Sequence, residues 1–89
     1  MKFVLNKCYG GFSVSKWAAE QLGLESVYEV NHDNPHLIEL VEKFPDKVSG
    51  KSAKLKIVEI PDNCTDYELD IYDGIESIIY VVDGKIYHV

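Results

Sequence analysis

The chain has 89 residues, of which 46% are hydrophobic and 11% aromatic. This composition predicts a single domain, residues 1–89, with one modest core, and it excludes a disordered protein. No apolar run approaches the roughly 18 residues that a membrane-spanning helix needs, and the polar start over residues 1–7 predicts no secretory signal. The expected location is therefore the cytoplasm, where the two cysteines are expected as thiols or metal ligands and not as a disulfide.

The net charge of −6 is unevenly distributed along the sequence. Residues 1–56 carry eight lysines and seven acids, a balance of +1, whereas residues 57–89 carry one lysine and eight acids, a balance of −7. Arginine is absent, so the bidentate contacts that proteins make with phosphate and guanine are missing, and direct nucleic-acid binding is disfavoured. The acidic half favours a basic protein as partner, or it serves only as a solvated surface that keeps a small protein soluble.

A short strand is predicted at the start of the chain, over Lys2–Lys7. Alternate residues of a strand face opposite sides, so Phe3 and Leu5 are expected on one face and Val4 on the other. The residues that follow, 8–12, include two adjacent glycines and predict a turn.

Two helices are predicted from their capping residues. Ser13 or Ser15 caps the first helix, which ends near Leu22 with Gly23 as its natural C′ residue. Asn34 and Pro35 open the second helix, since Asn is a favoured cap and Pro a favoured first helical residue. Each helix has an apolar stripe that is expected to face the core: Val14, Trp17, Ala18 and Leu22 in the first, and Leu37, Leu40, Val41 and Phe44 in the second.

The remaining elements complete the predicted fold. They are a short strand over Ser26–Asn31, the end of the second helix at Pro45–Asp46, a loop over Val48–Ser52, a strand over Lys54–Ile60 stopped by Pro61, and a hairpin of Ser77–Val82 and Lys85–Val89 around the turn Asp83–Gly84. This order predicts an α+β fold, a small and mainly antiparallel sheet with two helices on one face.

Four stretches of the sequence resemble a family of small phage and prophage proteins, and the likeness runs along nearly the whole chain. The stretches are Asn6–Phe12 with Ser15, Asp33–Pro35, Lys56–Asp62, and Tyr72–Gly74 with Glu76. The chain departs from the usual pattern in its Asp83–Gly84 hairpin and in Cys64, His32 and His36. Small acidic phage proteins of this size include anti-CRISPR inhibitors, some of which bind Cas9. The resemblance to phage proteins, taken together with the small size and acidic charge of the chain, favours an inhibitor of a bacterial defence protein.

An acidic run that contains tyrosines is the candidate partner-binding surface. Its carboxylates can imitate a line of phosphates, and its tyrosines supply rigid apolar contact area. The residues are Asp62, Asp66, Tyr67, Glu68, Asp70, Tyr72, Asp73 and Glu76. A Ca²⁺ site or an acid–base pair is the other interpretation, but the run lacks the glycine and glutamate spacing of an EF-hand loop.

A second set of residues is a candidate zinc site. Thiolate and imidazole are the ligands that Zn²⁺ prefers, and four of them close a structural tetrahedron. The set is Cys8, His32, His36 and Cys64. The alternative is two buried thiols and two exposed histidines, since the cysteines do not form a C-x-x-C pair and Pro35 lies between the histidines.

The Gly10–Gly11 turn before the first helix is a third candidate, because exposed amides at such a turn attract phosphate. The same glycines are explained by a tight turn between a strand and a helix. A nucleophilic role for Cys8 is disfavoured, because no Asn or Asp is identifiably placed to orient a histidine beside it.

The predicted function is that of a non-enzymatic phage protein that binds Cas9 through an acidic surface and blocks its nucleic-acid loading. One alternative is a protein that sequesters a phosphorylated small molecule at the Gly10–Gly11 turn. The other is a structural or host-takeover protein of a phage with no defence target.

Overall fold

The computed structural model describes the whole chain, residues 1–89, and shows an α+β protein with two antiparallel sheets and three short helices. The elements in chain order are β1 (Lys2–Asn6), α1 (Lys16–Leu22), α2 (Pro35–Lys43), α3 (Pro45–Val48), β2 (Leu55–Glu59), β3 (Asp66–Tyr72), β4 (Ile75–Val82) and β5 (Lys85–His88). The predicted fold class is confirmed. Each of the three helices is too short and too polar to cross a bilayer.

Strands β1 and β2 form an antiparallel ribbon whose two faces both meet other elements. Val4 and Leu55 lie in one buried cluster, together with apolar residues of the helices. Phe3 and Leu5 lie in a second buried cluster, on the other side of the ribbon, with Ile78 of β4. The predicted alternation in β1 is therefore confirmed, and it places the ribbon between the helices and the second sheet.

Both predicted helices begin at capping residues that the sequence predicts, and the first also ends as predicted. The side chain of Ser15 accepts a hydrogen bond from the Ala18 N–H at the start of α1, and Gly23 ends the helix in the left-handed conformation. The side chain of Asn34 accepts hydrogen bonds from the first turn of α2, which opens with Pro35.

The second sheet consists of β3, β4 and β5 in that order, joined by two tight hairpin turns. The turn residues Asp83 and Gly84 both have positive φ, as the sequence predicts for an Asp-Gly hairpin. Asp73 and Gly74 form the same kind of turn between β3 and β4. That second Asp-Gly pair is the same sequence signal for a tight hairpin turn.

Three details of the prediction are wrong. Residues 26–31 form no strand, because their backbone makes isolated hydrogen bonds, such as that from the Val14 N–H to the Val27 carbonyl, and no continuous ladder with another segment. Pro45 starts the short helix α3, so Val48 is helical and not part of a loop. The strands also divide into two sheets, because β4 contacts β1 through side chains and not through a continuous backbone ladder.

Candidate partner-binding face

The three-stranded sheet has an inner side that is covered at Glu76 and Ile78 of β4, although Leu69 and Ile71 of β3 on that side are exposed, and an outer side. The inner face packs toward β1, where Ile78 is buried and the ring of Tyr67 lies 5.4 Å from that of Phe3 between centroids. Because side chains alternate along a strand, the neighbours of these residues point the other way. We call that side the outer face; its residues are Asp66, Glu68, Asp70, Tyr72, Ile75, Ser77, Ile79, Val81, Ile86 and His88.

A row of three carboxylates runs along one margin of the outer face. Asp66, Glu68 and Asp70 are alternate residues of β3, so they share a side and are about 6.7 Å apart. All three are exposed, and none takes part in an ion pair. No strand of the sheet places a lysine on the outer face, and the one lysine beside it, Lys7, lines a cavity with Asp70 and Tyr72 while its Nζ donates to the Glu76 carbonyl.

An apolar strip lies directly beside this acidic row. Val81 is paired with Asp66 and Ile79 with Glu68 in the ladder between β3 and β4. On the next strand Ile86 is 74% exposed, whereas Val81 and Ile79 are half-buried. Residues of the strip and of the first two carboxylates line one shallow cavity of about 160 Å³. The outer face therefore joins negative charge to a partly exposed apolar strip.

The structure divides the predicted acidic set. Tyr72 lies on the outer face and is 73% exposed, whereas Tyr67 belongs to the inner face. Asp62 lies before β3 and pairs with the amino group of Met1 at 2.6 Å. Asp73 lies in the hairpin turn. Only four of the predicted residues thus share one surface.

Glu76 does not belong to the exposed set, because only 2% of it is accessible. Its Oε1 accepts a hydrogen bond from the Asn6 N–H at 2.8 Å, and its Oε2 lies 2.8 Å from Nε2 of His32. The ring of His32 in turn packs against Phe12, with centroids 4.2 Å apart. This buried cluster was missed in the sequence, where its members are far apart and carry no local signal.

Asn6 connects three separate parts of the chain beside the Glu76 carboxylate. Its side-chain amide donates to the carbonyls of Cys8 and Gly74, at 2.8 and 2.7 Å. Its side-chain oxygen accepts a hydrogen bond from the Lys54 N–H at 2.8 Å. Two of the four stretches quoted for the family resemblance, Asn6–Phe12 and Tyr72–Gly74 with Glu76, therefore meet at this point.

The four predicted zinc ligands have different surroundings. The thiol of Cys8 lies 3.0 Å from the carbonyl oxygen of Ser52, and Cys64 packs against the cluster beneath the three-stranded sheet. His32 contacts Glu76, and His36 is exposed at the start of α2. No three His, Cys, Asp or Glu side chains lie together in an arrangement that would hold a metal ion. The zinc site stays a prediction from the sequence alone.

The Gly10–Gly11 turn lies beside a polar cavity of about 290 Å³. Lys16 and Lys51 line this cavity with three serines and Gly10. The backbone of Gly10 packs closely on Ser52, since a Cβ at Gly10 would lie 1.6 Å from the Ser52 carbonyl oxygen. The close approach accounts for a glycine here, and the two lysines form a local positive region in an acidic protein.

The comparisons with known proteins give no match: no protein-family model, no curated protein and no solved structure is detectably similar to this chain. The resemblance to phage proteins stays a prediction.

Proposed function

We propose that the protein is a non-enzymatic inhibitor that binds another protein through its outer face. One observation carries this proposal: the unpaired carboxylates of Asp66, Glu68 and Asp70 border an apolar strip of the half-buried Val81 and Ile79 and the exposed Ile86. A partner with basic residues around an apolar patch would gain charge attraction at the margin and buried area at the centre. The sequence resemblance favours a bacterial defence protein in the cytoplasm, with Cas9 as the first candidate, because its nucleic-acid channel is basic.

A triple charge reversal tests this proposal. Asp66→Lys, Glu68→Lys and Asp70→Lys replace the acidic row, and we expect the variant to lose both binding and inhibition of the partner. The loss is expected mainly in the association rate, with the wild-type rate falling as salt is added. The fold is expected to survive, because exposed charges contribute little to stability.

The matched control is the reversal of Glu20, Glu25 and Glu29 to lysine. These residues are exposed, lie outside the three-stranded sheet and take part in no ion pair. Glu39 is unsuitable, since a hydrogen bond from Lys43 lowers its pKa. Both triple variants have the same net charge, so only the position of the change differs. If the outer-face variant folds and still inhibits like the wild type, the acidic row is only a solubilising surface.

A second candidate function rests on the polar cavity beside Gly10. Its two lysines and three serines would suit a phosphorylated small molecule, which the protein would sequester. We would then expect ADP to raise the melting temperature at fixed ionic strength, and Lys16→Ala with Lys51→Ala to abolish the shift. An unchanged melting temperature with both ADP and inorganic phosphate would argue against this function.

A further inference from the structure

The edge of β3 is a free sheet edge along its whole length. β4 is the only helix or strand beside which its backbone lies, and all seven of its residues are exposed. From Asp66 to Tyr72 the strand contains no lysine, proline or bulge, and the only device that would keep another chain from pairing with this edge is its three carboxylates, which act against a strand of like charge. The edge is therefore open to a further strand.

The register shows which backbone groups are free. Ile78 and Val89 exchange both of their backbone hydrogen bonds, so the N–H and C=O of Ile78 point toward β5. The direction of the backbone N–H and C=O groups alternates along an antiparallel strand. Those of the next residue, Ile79, therefore point toward Glu68, its partner on β3. By the same alternation, the N–H and C=O of Tyr67, Leu69 and Ile71 point out at the open edge.

We infer that the binding partner adds an extended strand to this edge of β3, with basic residues at every second position. The inference rests on the function proposed above and specifies its binding mode. The added strand would bond to the backbones of Tyr67, Leu69 and Ile71, which leaves the acidic residues at the positions where no backbone bonds form. In an antiparallel pair, Cα atoms at those positions are about 4.5 Å apart instead of about 5.5 Å. Lysine or arginine side chains would thus lie closest to the carboxylates.

Charge argues against a second copy of this chain as the occupant. If two β3 edges paired antiparallel across a two-fold axis, the rows of Asp66, Glu68 and Asp70 would lie side by side on the same face. Like charges opposite each other destabilise a strand pair, whereas opposite charges stabilise it. The row therefore selects a basic strand and repels its own copy.

A chemically modified chain tests the inference. Residue 64 is a cysteine, so a synthetic peptide of residues 64–89 can be ligated to residues 1–63 with N-methyl-leucine at position 69. The methyl group removes an outward N–H and obstructs an added strand, but it breaks no bond inside the sheet. The matched control carries N-methyl-isoleucine at position 86, which points out from the opposite edge, since Lys85 and Tyr87 face β4.

The probe is an octapeptide with capped ends that alternates lysine and valine. It is compared with a capped octapeptide of the same composition whose residues are arranged in Lys-Lys-Val-Val blocks. We expect the alternating peptide to bind more tightly and to slow hydrogen exchange at the amides of Tyr67, Leu69 and Ile71. We expect N-methylation at position 69 to weaken this binding about tenfold or more, as the loss of a backbone bond and a new clash require, and N-methylation at position 86 to leave it unchanged.

Three outcomes would overturn the inference. In the first, the chain with N-methyl-leucine at position 69 binds the alternating peptide as tightly as the wild type does. In the second, the peptide with Lys-Lys-Val-Val blocks binds as tightly as the alternating peptide. In the third, the protein forms a dimer that N-methylation at position 69 dissociates. If charge reversal on the outer face still removes partner binding in the first two cases, the proposed function stands and only the strand addition fails. If charge reversal leaves partner binding intact, the proposed function fails as well.

Discussion

Glu76 lies in an acidic stretch of sequence, yet its carboxylate is enclosed by the Asn6 N–H and the His32 ring. A buried polar group that loses its partner carries the full cost of having left water. Replacement of the Glu76 side chain therefore also affects its two partners, Asn6 and His32.

We expect Glu76→Ala to lower the free energy of unfolding by about 2–4 kcal/mol, because it leaves the Asn6 N–H and the His32 ring without their acceptor. Glu76→Gln keeps an oxygen for the Asn6 N–H and should cost less. Urea denaturation of both variants measures the difference. The exposed Glu68→Ala is the control, and a loss for Glu76→Ala as small as for Glu68→Ala would contradict this role.

The two hairpin turns of the three-stranded sheet have the same residues but different surroundings. Gly74 and Gly84 both follow an aspartate, with φ of 86° and 76°. A Cβ on Gly84 would meet no atom within 4 Å. A Cβ on Gly74 would lie 2.6 Å from the Tyr9 carbonyl oxygen and 2.7 Å from the Gly11 nitrogen, so this turn is packed against the chain that follows β1.

Alanine at the two turns should separate backbone strain from packing. Gly84→Ala is expected to cost about 1–2 kcal/mol, the penalty for a left-handed conformation with a side chain. Gly74→Ala should cost clearly more, because the Tyr9–Gly11 backbone must also move. Thermal denaturation of the two variants tests this, and equal losses would show that the turn is not packed as described.

The elements that the sequence predicts well are those with local signals. Ser15, Gly23, Asn34 and the Asp83–Gly84 turn each act within a few residues of themselves, and all four have the predicted roles. The composition of residues 26–31 is also a local signal. A strand, however, forms only where another segment pairs with it, and the local sequence does not show whether such pairing occurs.

The candidate site was predictable only in part for the same reason. The alternation of Asp66, Glu68 and Asp70 along β3 follows from the sequence once a strand is assigned. The burial of Glu76 depends on Asn6 and His32, which are 70 and 44 residues away. Contacts at such separations leave no pattern in one sequence.

At the scale of the whole molecule, the β1–β2 ribbon joins the two buried clusters. Val4 belongs to the helical cluster, whereas Phe3 and Leu5 belong to the cluster beneath the three-stranded sheet. Unfolding of β1 would expose both clusters together. The two sheets are therefore expected to unfold as one cooperative unit.

We expect Leu37→Ala, at a fully buried site in the helical cluster, to cost about 2–5 kcal/mol. The spectroscopic signal of the single tryptophan, Trp17, follows unfolding of the helices, and that of tyrosines such as Tyr67, Tyr80 and Tyr87 follows unfolding of the three-stranded sheet. The denaturant midpoints measured with the two signals should fall to the same lower value. Leu40→Ala, at a half-buried site, is the control and should shift both less. Two separate transitions would show that the sheet is stable without the helices.

The pairing of β1 with β2 also affects how the chain folds as it is synthesised. β1 leaves the ribosome before the other elements described above, and the register of the ribbon pairs Lys2 with Glu59 and Asn6 with Leu55. All three helices emerge before that partner exists, so neither cluster can close around β1. The nascent chain must keep Phe3, Val4 and Leu5 exposed until β2 has emerged, and this interval is when the protein is most open to chaperones and aggregation.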